Sequence, residues 1–399
     1  MTALKLCLPE AVTPQQFLAE YWQKKPLLIK QGLPQLIDMF EPEDILGLAL
    51  DEEALARLIT QHIAHDKPKW TVKKSPLDET DLETVLAHAD DTLANWTVLV
   101  QNLEQWSPEL GQLWQAFDFI PQWQRDDIMV SYAPQGGSVG KHYDDYDVFL
   151  AQGFGQRRWQ LGKFCDETTE FIEGQPIRIF DDLGEIIFDE VLQPGDVLYV
   201  PPKLAHYGVA VDDCLTFSFG FRRPNMMQLL DNLVDVATSD STLFVPMLLE
   251  QDSQPSGELT EASISQIQAQ LLQLLASSHG TSLIRQAVSE TVSRRQYDIL
   301  TPEEALDEQE LMQALSRDAT LQIDYSSRLI YHTDNDITTI YANGQLLDEL
   351  SDSERRLLKR LANGEALNHQ DIFDDSANAV AIDTLMSWLE NGWVWLNMT

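Results

Sequence analysis

The sequence predicts an α+β protein built around an antiparallel, β-rich centre, and three observations carry that reading. From Ile128 to Phe221, short runs rich in Val, Ile, Phe and Tyr recur between turns containing Gly or Pro, the spacing expected of a sandwich or barrel. Before Gln124, helical and strand-like patterns are mixed. After Pro224 the β character stops and apolar residues fall at helical spacing. The chain accordingly divides into residues 1–225, 226–298 and 299–399. With 399 residues, 44% of them hydrophobic, it has enough apolar material for several cores.

Thr13 is a suitable helix cap before Pro14, and Phe17, Leu18, Tyr21 and Trp22 follow at helical spacing, so a helix is expected there. Leu27 to Ile29 reads as a strand, Pro42 to Ile59 and Asp78 to Ala89 as helices, and Trp96 to Val100 as a strand. In the β-rich centre, Asp126 to Tyr132 leads into a Pro134-Gln135-Gly136-Gly137 turn. His142 to Gln152 is a strand, Gly153-Phe154-Gly155 turns it back, and Gln156 to Leu161 returns. Pro194-Gly195-Asp196 launches another strand, and Cys214 to Phe221 supplies one more.

Beyond the centre, Leu229, Leu230, Leu233, Val234 and Ala237 share a helical face, as do Ile264, Ile267, Leu271 and Leu274; a third helix is expected over Leu283 to Arg295, with residues 251–257 as a loop. Such a block either packs on the barrel or forms a dimerisation surface, and a homodimer is the sharper expectation. Thr301-Pro302-Glu303-Glu304 has a capping-box arrangement. Strand-like Leu321 to Tyr331 and Ile337 to Tyr341, an Asn343-Gly344 turn, helices over Asp352 to Ala362 and Ser376 to Glu390, and a terminal Trp393-Val394-Trp395-Leu396 complete the chain. That order is similar to a winged helix. Acidic residues outnumber basic ones there by about three to one, against the basic face that DNA-binding modules carry, so a protein-contact role is expected.

Sixty-four acidic residues against 27 basic ones leave a formal charge of -37, which excludes nonspecific nucleic-acid binding through phosphate neutralisation. The same field suits solubility and would also draw in a strongly basic partner. No apolar run approaches the roughly 20 residues of a membrane span, and Met1-Thr2-Ala3-Leu4-Lys5 does not begin a signal peptide, so a cytoplasmic location is expected. Cys7, Cys165 and Cys214 are scattered and form no C-x-x-C, so no disulfide framework or structural zinc site is indicated.

Among eight histidines, two stand in a pattern that carries chemistry. His142 and Asp144 are two apart, and on an extended segment residues i and i+2 point the same way. His206, behind the Pro194-Gly195-Asp196 strand entry, would complete two imidazoles and one carboxylate, the facial set of non-haem iron(II) oxygenases with positions open for oxygen and a chelating co-substrate. His62 and His65 are three apart but find no third ligand. A keto acid chelating the metal would place a far carboxylate deeper in the barrel, where a cation is required. Arg157 is the best candidate and Arg158 its rival, since alternation lets only one face inward. Ser131, and Thr216 or Ser218, are candidate hydroxyl contacts.

The run Gly136-Gly137-Ser138-Val139-Gly140-Lys141-His142-Tyr143-Asp144-Asp145-Tyr146-Asp147-Val148-Phe149, with Gln152-Gly153 and Arg157-Arg158-Trp159, resembles the JmjC-type (cupin-like) ribosomal oxygenases, and more closely their bacterial arginine hydroxylase branch. The segment from Phe17-Leu18 through Tyr21-Trp22-Gln23-Lys24-Lys25-Pro26-Leu27-Leu28-Ile29 is similar to that family's start. The resemblance implies a double-stranded β-helix (jelly-roll) barrel, a helical dimerisation segment and a C-terminal winged helix. It implies that His142, Asp144 and His206 bind iron(II), that Arg157 holds the C5 carboxylate of 2-oxoglutarate, and that Ser131 and Tyr143 line that pocket. It further implies O2 as co-substrate and hydroxylation of a side chain, the β carbon of an arginine in bacterial members, on a basic protein of the large ribosomal subunit. A small-molecule oxygenase on the same barrel and a non-catalytic, metal-stabilised interaction protein are the alternatives.

Overall fold

The computed structural model describes residues 4–64, 67–87, 95–250, 257–295, 297, 306–374 and 380–398. The chain forms two compact units, Met1–Arg222 and Arg223–Thr399. In the first, the elements are α1 (Pro14–Glu20), β1 (Leu27–Ile29), α2 (Pro42–Leu48), β2 (Ala56–Ala64), β3 (Lys67–Lys74), α3 (Glu79–Ala87), β4 (Asn95–Val100) and α4 (Pro108–Gly111). They are followed by β5 (Arg125–Ala133), β6 (Asp147–Phe154), β7 (Arg157–Phe164), β8 (Phe188–Leu192), β9 (Val197–Val200), β10 (Leu204–Ala210) and β11 (Cys214–Phe221). Thr13 caps α1 as its sequence suggests: its hydroxyl accepts from the Gln16 amide while the Gln16 side chain accepts from the Thr13 amide.

Two antiparallel sheets make the barrel, one in the order β1-β9-β6-β11-β5-β4-β2-β3 and one in the order β10-β7-β8. Strand alternation assigns each residue to one of two cores. Val148, Leu150, Leu198 and Val200 of the large sheet meet Trp159, Leu161, Leu192 and Leu204 of the small one, and this cluster fills the barrel interior. The alternate positions of the large sheet, Phe149, Tyr199, Phe217, Phe219 and Phe221, pack against Phe17, Trp22, Phe40, Trp114 and Phe117 of the N-terminal segment. The large sheet is thus buried on both faces, which is why its strands read as nearly continuous apolar runs. Asp196 of the Pro194-Gly195-Asp196 turn is buried and accepts from Lys30 Nζ at 2.9 Å and from the amides of Gln31 and Gln193 at 3.0 Å, tying β1 to the start of β9.

Three sequence expectations change here. The helix expected over Pro42 to Ile59 stops at Leu48, and Ala56 onward is strand, because β2 and β3 pair as a hairpin that extends the large sheet beyond β4. The strand expected from His142 begins only at Asp147; His142 itself makes an isolated bridge. The strand-like run Leu321 to Tyr331 is two strands broken by a turn. The loop expected at residues 251–257 and the Thr301-Pro302-Glu303-Glu304 cap fall largely or wholly outside the described residues.

The second unit contains α5 (Met226–Thr238), α6 (Glu261–Ala276), α7 (Ser278–Ser293), α8 (Glu308–Leu315), β12 (Thr320–Ile323), β13 (Leu329–Asp334), β14 (Ile337–Ala342), β15 (Gln345–Leu347), α9 (Asp352–Ala362), α10 (Ile382–Glu390) and β16 (Val394–Asn397). Leu311, Leu321, Leu329, Leu357, Leu358, Leu361, Leu385 and Trp388 form its core, with β12 paired to β16 and β13-β14-β15 as a small meander. The Asn343-Gly344 turn is confirmed, both residues having positive φ. Asn232 of α5 donates to the Ala287 carbonyl of α7 at 2.9 Å and accepts from Arg294 at 2.8 Å, joining those helices through a buried amide.

Candidate metal centre

The H-x-D segment is held in place by backbone bonds before any side chain acts. His142 and His206 exchange amide-to-carbonyl bonds of 3.1 and 2.8 Å, the Lys203 amide donates to the Asp144 carbonyl at 2.7 Å, and the Phe180 amide donates to the Lys141 carbonyl at 3.1 Å. This closely spaced antiparallel pair brings the two imidazoles together. A register shift between Leu204 and His206 in the β10–β7 pairing lies beside it, a place where bulges re-aim side chains. Gly140, with φ +88°, makes the approach; a Cβ there would lie 2.9 Å from Ile179 Cγ2 and 3.1 Å from the Trp70 ring.

One ligand atom each from His142, Asp144 and His206 lies within 4.8 Å of the others, and among the described residues this is the sole such cluster. The electrostatics favour a cation. His142 Nδ1 is 3.0 Å from the Gly140 carbonyl and His206 Nδ1 is 2.9 Å from the Leu204 carbonyl, which assigns the proton of each ring to Nδ1 and leaves a lone pair on each Nε2. Those two Nε2 atoms stand 3.1 Å apart, and the Asp144 carboxylate is 3.6 Å from His206 Nε2. Two facing lone pairs need a proton or a metal ion between them. Burial, with His142 beside it, pushes His206 down to about 4, so at neutral pH His206 presents a free lone pair and a metal ion is a fitting occupant. Carbonyl partners that fix the ring tautomers are the usual second support of histidine ligands.

The arginine alternation resolves in favour of Arg157. Arg157, Trp159 and Leu161 of β7 face the barrel interior, whereas Arg158 faces out and pairs bidentately with Asp189 at 2.6 Å. Arg157 is 3% exposed. Its Nη1 donates to Ser131 Oγ at 2.7 Å and Thr216 Oγ1 at 3.3 Å. Each hydroxyl passes its own proton on, Ser131 toward the Thr216 carbonyl at 3.4 Å and Thr216 to Gln152 Oε1 at 2.9 Å, so both turn lone pairs to the guanidinium. Among the described residues no carboxylate pairs with Arg157, its Nε has no partner, and burial depresses its basicity. A buried cation without an acid partner is costly to the fold and is a built receptor for an anion.

The structure brings the expected Ser131, Arg157 and Thr216 together and adds Gln152, whose signal in the sequence was a polar residue in an otherwise apolar strand. Ser218 shares the face of Thr216 but lies two residues along, level with Met129 and Leu150. Tyr143 turns the other way from its neighbours His142 and Asp144. Its ring packs on Phe171 and Phe180 and its hydroxyl accepts from Arg178 at 3.1 Å, in a cluster with Cys165 and Tyr207. Tyr146, half-buried, has its phenol pushed well above the ordinary range by the Asp144 charge and by burial, and the Arg222 guanidinium lies over its ring.

Residues 112–229 match the JmjC domain family and residues 268–394 match the ROXA-like winged helix family. The chain is 48% identical to a probable ribosomal oxygenase of Haemophilus influenzae over 98% of its length and 99% of that protein. It is 30% identical to the ribosomal protein uL16 3-hydroxylase of Escherichia coli, over 95% of this chain and 96% of the relative. A solved structure of YcfD, a ribosomal oxygenase from Escherichia coli in complex with cobalt and 2-oxoglutarate, superimposes with a TM-score of 0.77 at 27% identity, covering 98% of this chain and 99% of the other. On this whole-length similarity, with the interior metal-binding cluster inside the matched domain, the chain belongs to the JmjC ribosomal oxygenase family.

Proposed function

We propose that this protein is an iron(II)- and 2-oxoglutarate-dependent dioxygenase that hydroxylates an arginine β carbon of a large-subunit ribosomal protein. The observation that carries the reading is Arg157, a buried cation lacking an acid partner among the described residues, on the same barrel interior as the His142, Asp144 and His206 cluster. His142, Asp144 and His206 would hold iron(II), which with O2 and the keto acid supplies the oxidation of an unactivated carbon. Arg157, with Ser131 and Thr216, would anchor the distal carboxylate, and Ser218 would flank it. Leu150, Trp159 and Leu161 would keep water from the reacting centre. The relative named uL16 3-hydroxylase makes uL16 the first substrate to test.

Incubation with iron(II), 2-oxoglutarate, ascorbate and uL16 should give succinate and a mass gain of one oxygen on the substrate. Absence of both with uL16 and with other basic ribosomal proteins would overturn the reading. Succinate formation with a free metabolite alone would identify a small-molecule oxygenase instead. The charge of -37 supports a basic substrate and a protein that does not bind DNA, and a ribosomal substrate is in keeping with a cytoplasmic location.

Residues 226–298 are read as a dimerisation segment between the oxygenase domain and the winged-helix domain. Met226, Met227, Val234, Phe244 and Leu248 are 67%, 72%, 63%, 71% and 87% exposed, large apolar side chains that a second copy could cover. Light scattering should give twice the chain mass, and Leu248→Glu should shift the population toward monomer.

A further inference from the structure

Arg157 Nε is one of two orphaned donors that share the interior face of β7. The second is Trp159 Nε1, which is buried, has no hydrogen-bond partner among the described residues, and belongs to a residue 4% exposed. A buried indole N–H ordinarily finds an acceptor. The ring neighbours both functional groups of the site: the Arg157 guanidinium carbon lies 5.5 Å from its centroid, and the His206 imidazole centroid lies 5.9 Å away. The opposite strand makes room for it: Gly208 of β10 pairs with Trp159, and a Cβ at Gly208 would stand 2.7 to 2.9 Å from Cη2, Cζ3 and Cζ2 of the indole. A dicarboxylate held by both the metal ligands and Arg157 would therefore lie close to this ring.

We infer that Trp159 is a positioning residue for the co-substrate, its indole N–H donating to an oxygen of the dicarboxylate that Arg157 anchors. The inference rests on the proposed 2-oxoglutarate reading and extends it to a side chain that a purely apolar view of the barrel would count as packing. Phenylalanine keeps the aromatic bulk and removes the donor, so Trp159→Phe isolates the hydrogen bond.

The experiment uses the full-length protein loaded with Zn(II) in place of iron, which binds without turnover. Calorimetric titration of 2-oxoglutarate into wild type comes first; no binding there would overturn the co-substrate reading itself. Given binding, Trp159→Phe should weaken it on the order of 10-fold, the effect of losing a hydrogen bond to a charged group. In ¹⁵N-labelled wild type, the indole resonance that is missing from the Trp159→Phe or Trp159→Tyr spectrum should move downfield in the proton dimension and exchange more slowly with water on addition of 2-oxoglutarate, the signature of a new N–H to oxygen bond rather than of packing alone. In the iron enzyme the variant should raise the KM for 2-oxoglutarate and leave that for the protein substrate unchanged. Wild-type affinity in a folded Trp159→Phe protein, or an indole resonance unmoved by saturating ligand, would overturn the inference while leaving the hydroxylase reading intact.

Discussion

Replacing Arg157 by methionine separates what its guanidinium does for the ligand from what it does for the fold. Methionine keeps much of the aliphatic volume and removes the charge. Two hydrogen bonds are lost, to Ser131 at 2.7 Å and Thr216 at 3.3 Å, each contributing about 1.5–3 kcal/mol because the donor is charged. Against them stands the desolvation of an uncompensated buried cation, several kcal/mol in proteins. Ser131 and Thr216 keep their other partners, the Thr216 carbonyl and Gln152, so no hydroxyl is stranded. The two sides nearly offset, and ligand-free stability should change by no more than about 2 kcal/mol. Ligand-linked stability should behave differently. At 2-oxoglutarate 100-fold above its dissociation constant, the wild type gains about 2.7 kcal/mol, or roughly 5–10 °C for a unit of this size. Scanning calorimetry of the Zn(II)-loaded proteins with and without 2-oxoglutarate reads both quantities. Wild type and Arg158→Met should show the full upward shift and Arg157→Met almost none. A full shift in Arg157→Met would refute the anchoring role. A ligand-free midpoint more than about 10 °C below wild type would show that the guanidinium is a structural strut whose bonds outweigh its desolvation.

Asp144→Ala removes one of three ligands and should lower metal affinity by at least about 100-fold with the fold retained, as equilibrium dialysis and circular dichroism would report. Gly208→Ala forces a methyl group against the Trp159 ring and should destabilise by about 1–3 kcal/mol in urea melts, with a raised KM for 2-oxoglutarate. In metal-free protein, the folded-state value of about 4 for His206 lies below the ordinary 6.5, so the unfolded chain binds the extra proton first. Stability should therefore be complete above about pH 6.5 and fall toward pH 4, by up to about 3 kcal/mol. A flatter profile in His206→Gln would confirm the source, and an identical profile would exclude it.

Local chemistry made much of this molecule legible from its sequence. The Thr13-Pro14 cap, the Asn343-Gly344 turn and the existence of helices after Pro224 depend on residues close in the chain and were read correctly, although the helix expected from Leu283 starts at Ser278 and the one expected from Ser376 starts at Ile382. The helix expected across Ala56 to Ile59 failed because pairing with β3 and β4, unseen in the local pattern, decides the conformation there. At the site, strand alternation predicted that one arginine of the Arg157-Arg158 pair faces inward and the sequence favoured Arg157, but it did not show what either side chain would meet. Tertiary structure chose, by closing the small sheet over the large one so that the Arg157 side meets Ser131 and Thr216 while Arg158 meets Asp189.

The sequence by itself determined which donors exist, two imidazoles, a carboxylate and an interior arginine, because their identity and spacing are written along the chain. Only the tertiary structure decided that the His142 and His206 backbones pair across 64 residues of sequence, that Tyr143 turns away from the metal cluster, and that Trp159 lies near both Arg157 and His206 with an N–H that has no partner among the described residues. The physical reason is that alternation fixes side-chain direction only relative to the local strand, whereas what a side chain meets depends on register and bulges set by distant partners.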